Sequence, residues 1–250
     1  MSENIFEKKY SQFVNQSMTR KILYTYVVVI LYAFLLQTVV VMNGLHEDLL
    51  TVLTEAVRIN NSQITYLDYS SHNGPIVGFI GAWFVKLFSV GYGYIFLSSI
   101  GNIFVTIMST MVVFKLTNSI KLSLTAGMLI ATWYFPQVGG WYYDHVSYLF
   151  ILMASILFIY HEKNNKVFFI IGLLMGLAFW SKPTVGFVSS LSFLFSYVLV
   201  YGFKVYKVSR IFYGGIVAVF IGLLLIYIFS DIQLFINSFI KDLDFYLFKK

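Results

Sequence analysis

A chain of 250 residues that is 59% hydrophobic, 20% aromatic and only 11% charged, with a mean hydropathy of +0.79, lies far from a soluble globular domain. Such domains run at roughly 45–50% apolar and 25% charged. The net charge of +6 does not indicate nucleic acid, because the basic residues fall singly or in pairs between apolar runs and form no stripe for a phosphate backbone. The absence of cysteine excludes a disulfide framework, a thiolate metal site and a cysteine nucleophile.

Residues 1–21 read as a polar cytoplasmic tail that closes with Arg20-Lys21. The uncharged run from Ile22 to Met42 has the roughly 20 residues that cross ~30 Å of hydrocarbon. No small-residue cleavage site follows at Met42-Asn43-Gly44-Leu45, so the run reads as a retained signal anchor. Leu45, Leu49, Leu50, Leu53 and Val57 then recur at helical spacing, with Glu47, Asp48, Glu55 and Arg58 on other faces. This predicts a short amphipathic helix on the membrane surface, ended by Asn60-Asn61-Ser62. A polar stretch from Tyr66 to Pro75 follows, holding Asp68 and His72 just ahead of Gly74-Pro75.

The run from Ile76 to Val90 carries Lys86 and is too short for a comfortable span; Gly91-Tyr92-Gly93 follows it. Later apolar blocks run from Tyr94 to Phe114, Leu122 to Tyr160, Val167 to Gly202 and Ile211 to Ser230. The second is broken between Pro136 and His145 and the third by Ser181-Lys182-Pro183, so each reads as a helical hairpin.

Charge placement decides whether Ile76 to Val90 crosses. Without a crossing, Lys8, Lys9, Arg20, Lys21, Lys115, Lys121, Lys163, Lys166, Lys204, Lys207 and Arg210 lie inside. Arg58, Lys86, Lys182, Lys241, Lys249 and Lys250 then lie outside. A crossing would move every basic residue from Lys115 to Lys166 and from Lys204 to Arg210 outside, against the positive-inside rule. The expected fold is therefore all-α: a polytopic transmembrane helical bundle of about seven spans in a cell membrane, N-terminus cytoplasmic. Its transmembrane domain covers residues 22–230, with surface-lying helices in a first extracytoplasmic loop at 43–93 and an extracytoplasmic segment at 231–250. This topology gathers Asp68, His72, Asp144, His145 and Lys182 on the extracytoplasmic side.

Asp68 and His72, four residues apart, suit a base and its partner, or equally a capping aspartate and a solvated histidine. Asp144-His145 follows Trp141-Tyr142-Tyr143, where an interfacial aromatic belt is expected in any case. The Asp144 carboxylate can orient a substrate hydroxyl, support Asp68, or help hold a divalent cation; it can also be the polar end of a helix. Lys182 interrupts an apolar block, and an isolated lysine there binds phosphate as a point charge or snorkels to the interface; its outer position favours phosphate. His46, Glu47 and Asp48 resemble a metal cluster in composition only, since adjacent helical residues point apart. No P-loop, zinc-hydrolase or nucleophile-elbow motif is present. Gly172 and Gly176 form a GxxxG pattern that marks tight helix packing rather than a ligand site.

At these residues the chain resembles the polytopic GT-C glycosyltransferases, in particular bacterial relatives of the protein O-mannosyltransferases and the lipid A aminoarabinose transferase. The resemblance covers roughly Ile22 to Gly202 and rests on four features in order: Tyr66 to Pro75, Trp83 to Phe88, Pro136 to His145, and Gly172 to Pro183. It implies transfer of a sugar from a polyprenyl-phosphate donor to a lipid, glycan or protein acceptor on the extracytoplasmic face. It implies that Asp68 serves as base for the acceptor hydroxyl or helps to position it, with Lys182 and Lys86 on the departing phosphate; His72, Asp144, His145, Lys182 and Lys86 are the expected substrate-binding residues, with Asp68 catalytic. Relatives often carry Asp-Glu or two prolines near the first-loop acid, whereas here Tyr69 follows Asp68 and Pro75 is the loop's one proline. Relatives also tend to be longer, which reads as a fragment, a minimal form or an inactive remnant. The competing expectation is a non-catalytic component of a cell-surface polysaccharide machine, a flippase-like transporter or scaffold. Coupled transporters place ionisable groups at mid-membrane, and these spans are almost free of charge.

Overall fold

The computed structural model of the chain describes residues 3–43, 47–63, 68, 74–134, 136, 140–161, 164–229, 233 and 236–237, with side chains for all of these except 3–18, 47–48 and 229. Nearly all of the described residues are helical and none is in a strand. The helices run in the order α1 (Glu3–Met42), α2 (Glu47–Asn60), α3 (Ile76–Phe88), α4 (Val90–Thr117), α5 (Ile120–Trp133), α6 (Tyr143–His161), α7 (Asn165–Ser181), α8 (Pro183–Tyr201) and α9 (Val205–Phe229).

Local sequence accounts for most of these boundaries. α1 starts within the segment expected as a polar tail, because residues 3–21 contain neither glycine nor proline to interrupt the backbone. Asn118 ends α4 in the left-handed region with φ 52°, while Ser119 and Asn164 cap the starts of α5 and α7 with their side-chain oxygens. The break between α3 and α4 falls at Ser89, φ 73°, and not at the expected glycine pair. Gly93 instead lies inside α4 and lets it press on α3: a Cβ there would come within 2.6 Å of the Phe84 carbonyl oxygen.

Among the described residues, five helical stretches are long and apolar enough to cross a membrane: Thr19–Met42, Val90–Thr117, Tyr143–His161, Pro183–Tyr201 and Val205–Ile228. Ile120–Trp133 and Asn165–Ser181 are apolar but shorter, with 14 and 17 residues. The rise of a helix makes them about 21 and 25 Å long. The expected seven spans thus correspond to five helices of spanning length and two shorter ones. Rows of large apolar side chains four residues apart face outward, among them Leu31, Leu35 and Val39 on α1, and Leu191, Phe195 and Leu199 on α8. A bilayer is the solvent that such rows require, and the chain is a multi-pass membrane protein.

Inside the bundle, α4 turns a polar stripe of Ser98, Asn102, Thr106 and Thr110 toward its neighbours. Asn102 Nδ2 donates to the carbonyl of Ala33 on α1 at 3.3 Å and to that of Ala131 on α5 at 3.0 Å, tying three helices together. On the other side, α7 packs most extensively on α9. The GxxxG pair does the packing work expected of it. A Cβ at Gly172 would stand 1.9 Å from the Ile211 carbonyl oxygen, and one at Gly214 would stand 2.0 Å from that of Phe169. Higher along the seam, the Trp180 indole lies against Gly222, and its Nε1 donates to the Ala218 carbonyl at 3.0 Å.

Charge is sorted to the two ends of the bundle. Ile22 and Tyr26 of α1 line one small cavity with Phe114 and Ile120, Lys115 lies over the Tyr160 ring at 5.4 Å, and Lys207 lies over the Phe168 ring at 4.6 Å. These contacts bring Arg20, Lys21, Lys115, Lys121, Lys166, Lys204, Lys207 and Arg210 to one end. Glu55, Asp144 and Lys182 stand at the other.

Because the α7–α9 seam is backbone against backbone, Gly172→Ala has no flexible side chain to displace and forces the helices apart. The expected cost is about 2–3 kcal/mol, the range of overpacking in a close-packed interior, measured by equilibrium unfolding of the purified protein in mixed micelles.

Candidate functional site

The site begins with the way α2 lies on α3. α2 buries Leu49, Val52 and Ala56, while Leu50 is 48% exposed. The apolar stripe is therefore rotated from the one expected through Leu50 and Val57. The reason lies in α3, which offers Gly78 and Gly81 to α2, so small residues mark the close face; a Cβ at Gly81 would be 3.3 Å from the Ala56 Cβ. Asn60 Nδ2 fixes the pair by donating to the Ala82 carbonyl at 2.9 Å. This rotation takes Glu55 off the polar face and buries it, 3% exposed, under Gly78, where a Cβ would come within 2.7 Å of its carboxyl carbon. The Tyr143 hydroxyl, at the start of α6, donates to the Glu55 carboxylate.

The segment that carries Tyr143 is pinned to α4. The Trp141 amide donates to Ser98 Oγ at 3.0 Å, and the Tyr94 hydroxyl donates to the Trp141 carbonyl at 2.9 Å. Gly140 is required there, since a Cβ would come within 2.5 Å of Ser98 Oγ. The Tyr134 hydroxyl, just past α5, donates to the His145 carbonyl at 2.9 Å, and the two rings meet edge-on at 4.9 Å. Burial pushes the Tyr134 phenol well above its ordinary value, and the charges of Tyr148 and Asp144 add to this, so Tyr134 stays a protonated donor. Asp144 itself occupies the first turn of α6, where the helix dipole favours a carboxylate.

Lys182 is the single residue between α7 and α8. Pro183 excludes it from the helical region, and it adopts φ −146°, ψ 108°, while the proline opens α8. Its Nζ lies 2.7 Å from Asp144 Oδ1, the two side chains being 27% and 31% exposed, and 5.8 Å from the centre of the Tyr142 ring. The backbone that delivers Lys182 also receives the end of the Asp68 stretch: a Cβ at Gly74 would lie 1.7 Å from the Trp180 carbonyl oxygen. Gly74 is thus seated on the last turn of α7, beside the Lys182–Asp144 pair.

The structure brings Asp144 and Lys182 together, while His145 packs edge-on against Tyr134 and Tyr142. Asp68 lies in an exposed turn; His72 lies outside the described residues, as do His46 and the side chains of Glu47 and Asp48. Lys86 is exposed in the last turn of α3. It stands eleven residues beyond Pro75, about 16 Å of helix rise from the end that meets Trp180. Among the described residues, no three His, Asp or Glu side chains gather as a cation site. Glu55 and Tyr143 are the residues that sequence reasoning missed. The available signal was the position of Glu55 between Val52 and Ala56 on one helical stripe, with glycines at 78 and 81 to receive it.

Chemically, the arrangement offers a partly exposed ammonium whose carboxylate partner an anion can replace, with aromatic rings alongside. Below it, α8 and α9 flank an apolar groove of about 370 Å³, floored by Gly172 and Gly176 of α7. Its upper residues include Phe179 and Gly186, which bracket Lys182 in the chain. No family model, curated protein or solved structure matches this chain.

The two polar pairs can be weighed by mutation. A cycle of Lys182→Ala, Asp144→Ala and the double variant is expected to give a coupling of about 1 kcal/mol, the upper range for a solvent-reached ion pair. Tyr143→Phe, which removes the described donor to buried Glu55, is expected to cost about 1–2 kcal/mol. Unfolding in mixed micelles reads both.

Proposed function

We propose that the chain is a membrane glycosyltransferase that moves a sugar from a polyprenyl-phosphate donor to a lipid, glycan or protein acceptor. One observation carries this reading: the Lys182–Asp144 pair stands above a lipid-sized apolar groove, at the end of the bundle where Gly74, six residues after Asp68 in the chain, rests on the Trp180 carbonyl. The groove suits an isoprenoid chain, and the ammonium suits the phosphate at its head.

In the proposed reaction an acceptor hydroxyl oxygen attacks the anomeric carbon. The bond from that carbon to the phosphate oxygen breaks, and the lipid phosphate leaves with the electron pair. Asp68 takes the hydroxyl proton, with His72 as its support, and Lys182 neutralises the charge that grows on the phosphate. Asp144, once released from Lys182, accepts a hydrogen bond from a sugar hydroxyl. His145 and Lys86 have secondary contacts to donor or acceptor. In this arrangement α5 and α7 complete seven spans, α2 and α3 lie on the outer surface, and the basic end faces the cytoplasm with residues 1–21, as the positive-inside rule favours.

Incubation of the purified protein with polyprenyl-phosphate sugars tests the chemistry. Asp68→Asn is expected to lower kcat by about 10²–10⁴-fold, as for loss of a general base, and Lys182→Met to weaken donor binding as well. Equal turnover in wild type and Asp68→Asn removes Asp68 as the base. Donor binding without turnover in wild type moves the protein to a non-catalytic role. Orientation is checked separately in a chain with no native cysteine: a cysteine placed at Asn165 should react with an impermeant maleimide only after the cytoplasmic face is opened.

A further inference from the structure

A second groove, of about 320 Å³, lies between α6 and α8 toward the basic end. Phe158, Ile159, Phe193 and Tyr201 wall it, and Tyr197 lines it while being 3% exposed. The Tyr197 ring is fixed from several sides: it stacks on Tyr201 at 5.6 Å and meets Phe158 and Phe168 edge-on at 5.7 and 5.8 Å. Its hydroxyl, however, has no hydrogen-bond partner among the described residues. A buried phenol left so is costly, by about 1–3 kcal/mol. Phenylalanine would pack as well, so the hydroxyl calls for an acceptor beyond the described residues.

The depth and the charge around it say which acceptor. Tyr197 lies one helical turn from the end of α8 at Tyr201, about 6 Å below it. That is the level at which glycerol esters meet the acyl region. Just past that end come exposed Lys204 and then Lys207, whose Nζ lies 4.6 Å from the Phe168 ring that packs on Tyr197. Basic clusters next to inter-helical pockets at a membrane surface recognise anionic headgroups.

We propose that the α6–α8 groove is a binding site for an anionic glycerophospholipid of the adjoining leaflet. One acyl chain fills the groove, Tyr197 donates to the ester carbonyl, and Lys204 and Lys207 hold the headgroup phosphate. The site is separate from the Lys182–Asp144 pair and does not rest on the proposed transferase activity.

The test uses the full chain in mild detergent, titrated with phosphatidylglycerol or with phosphatidylcholine of the same acyl chains, and read by thermal unfolding and native mass spectrometry. Phosphatidylglycerol is expected to raise the melting temperature and remain bound, and phosphatidylcholine to do neither. Tyr197→Phe should melt at or above wild type without lipid, because it deletes an unsatisfied hydroxyl. It should bind phosphatidylglycerol about five- to tenfold more weakly, the worth of one such hydrogen bond. Lys204→Gln with Lys207→Gln should remove the preference for the anionic lipid, with a lipid-free melt lowered only by loss of the Lys207–Phe168 contact. Equal shifts with both lipids, or undiminished phosphatidylglycerol binding by Tyr197→Phe, would overturn the proposal.

Discussion

Backbone-to-backbone contact between α7 and α9, possible only because Gly172 and Gly214 lack side chains, sets where the upper end of α7 stands. Lipid tails are as apolar as leucine, so burying apolar area gives two helices no net reason to associate in a membrane, and close approach must do so through dispersion. Trp180 extends the same seam against Gly222. With Trp180 held there, its carbonyl receives Gly74, and Lys182, two residues on, is delivered to Asp144. The groove beneath the pair shares this origin, since the glycines that admit α9 also leave its floor open.

A second set of constraints acts through polar groups that the low dielectric makes expensive to leave unpaired. Asn102 answers carbonyls on α1 and α5, Ser98 and Tyr94 hold the segment before α6, and Ser147 Oγ donates to the Ala178 carbonyl at 2.9 Å. These bonds carry position from the bundle core to Tyr143 and Asp144. Glu55 joins α2 to the same point through Tyr143. The candidate site is thus clamped from α4, α7 and α2 together, while the two side chains of the ion pair keep partial access from outside.

Much of the fold was legible in the amino-acid order. The breaks at Pro136 to His145 and at Ser181-Lys182-Pro183 separate helices as expected, and the Gly172–Gly176 pair packs a helix seam. The amphipathic helix after the first span is present, but the face it buries is rotated, because leucine count marks hydrophobicity whereas small residues mark close approach. The α3–α4 break moved from the glycine pair to Ser89 for a related reason: Gly93 serves packing against Phe84 rather than a turn. For the site, the sequence pointed to Asp144 and Lys182 separately and missed Glu55, whose burial depends on a partner helix more than twenty residues away.

The sequence by itself determined the solvent, the helical class, the proline-marked breaks and the segregation of basic residues. These follow from local properties: a run of apolar side chains, a proline, or a lysine pair acts wherever the helix goes. Only the tertiary structure decided that Lys182 meets Asp144, that Glu55 lies beneath Gly78 and beside Tyr143, and that two grooves open beside α8. Those outcomes depend on the rotation of each helix about its own axis, which is set by where two backbones can touch and so by pairs of residues far apart in the chain.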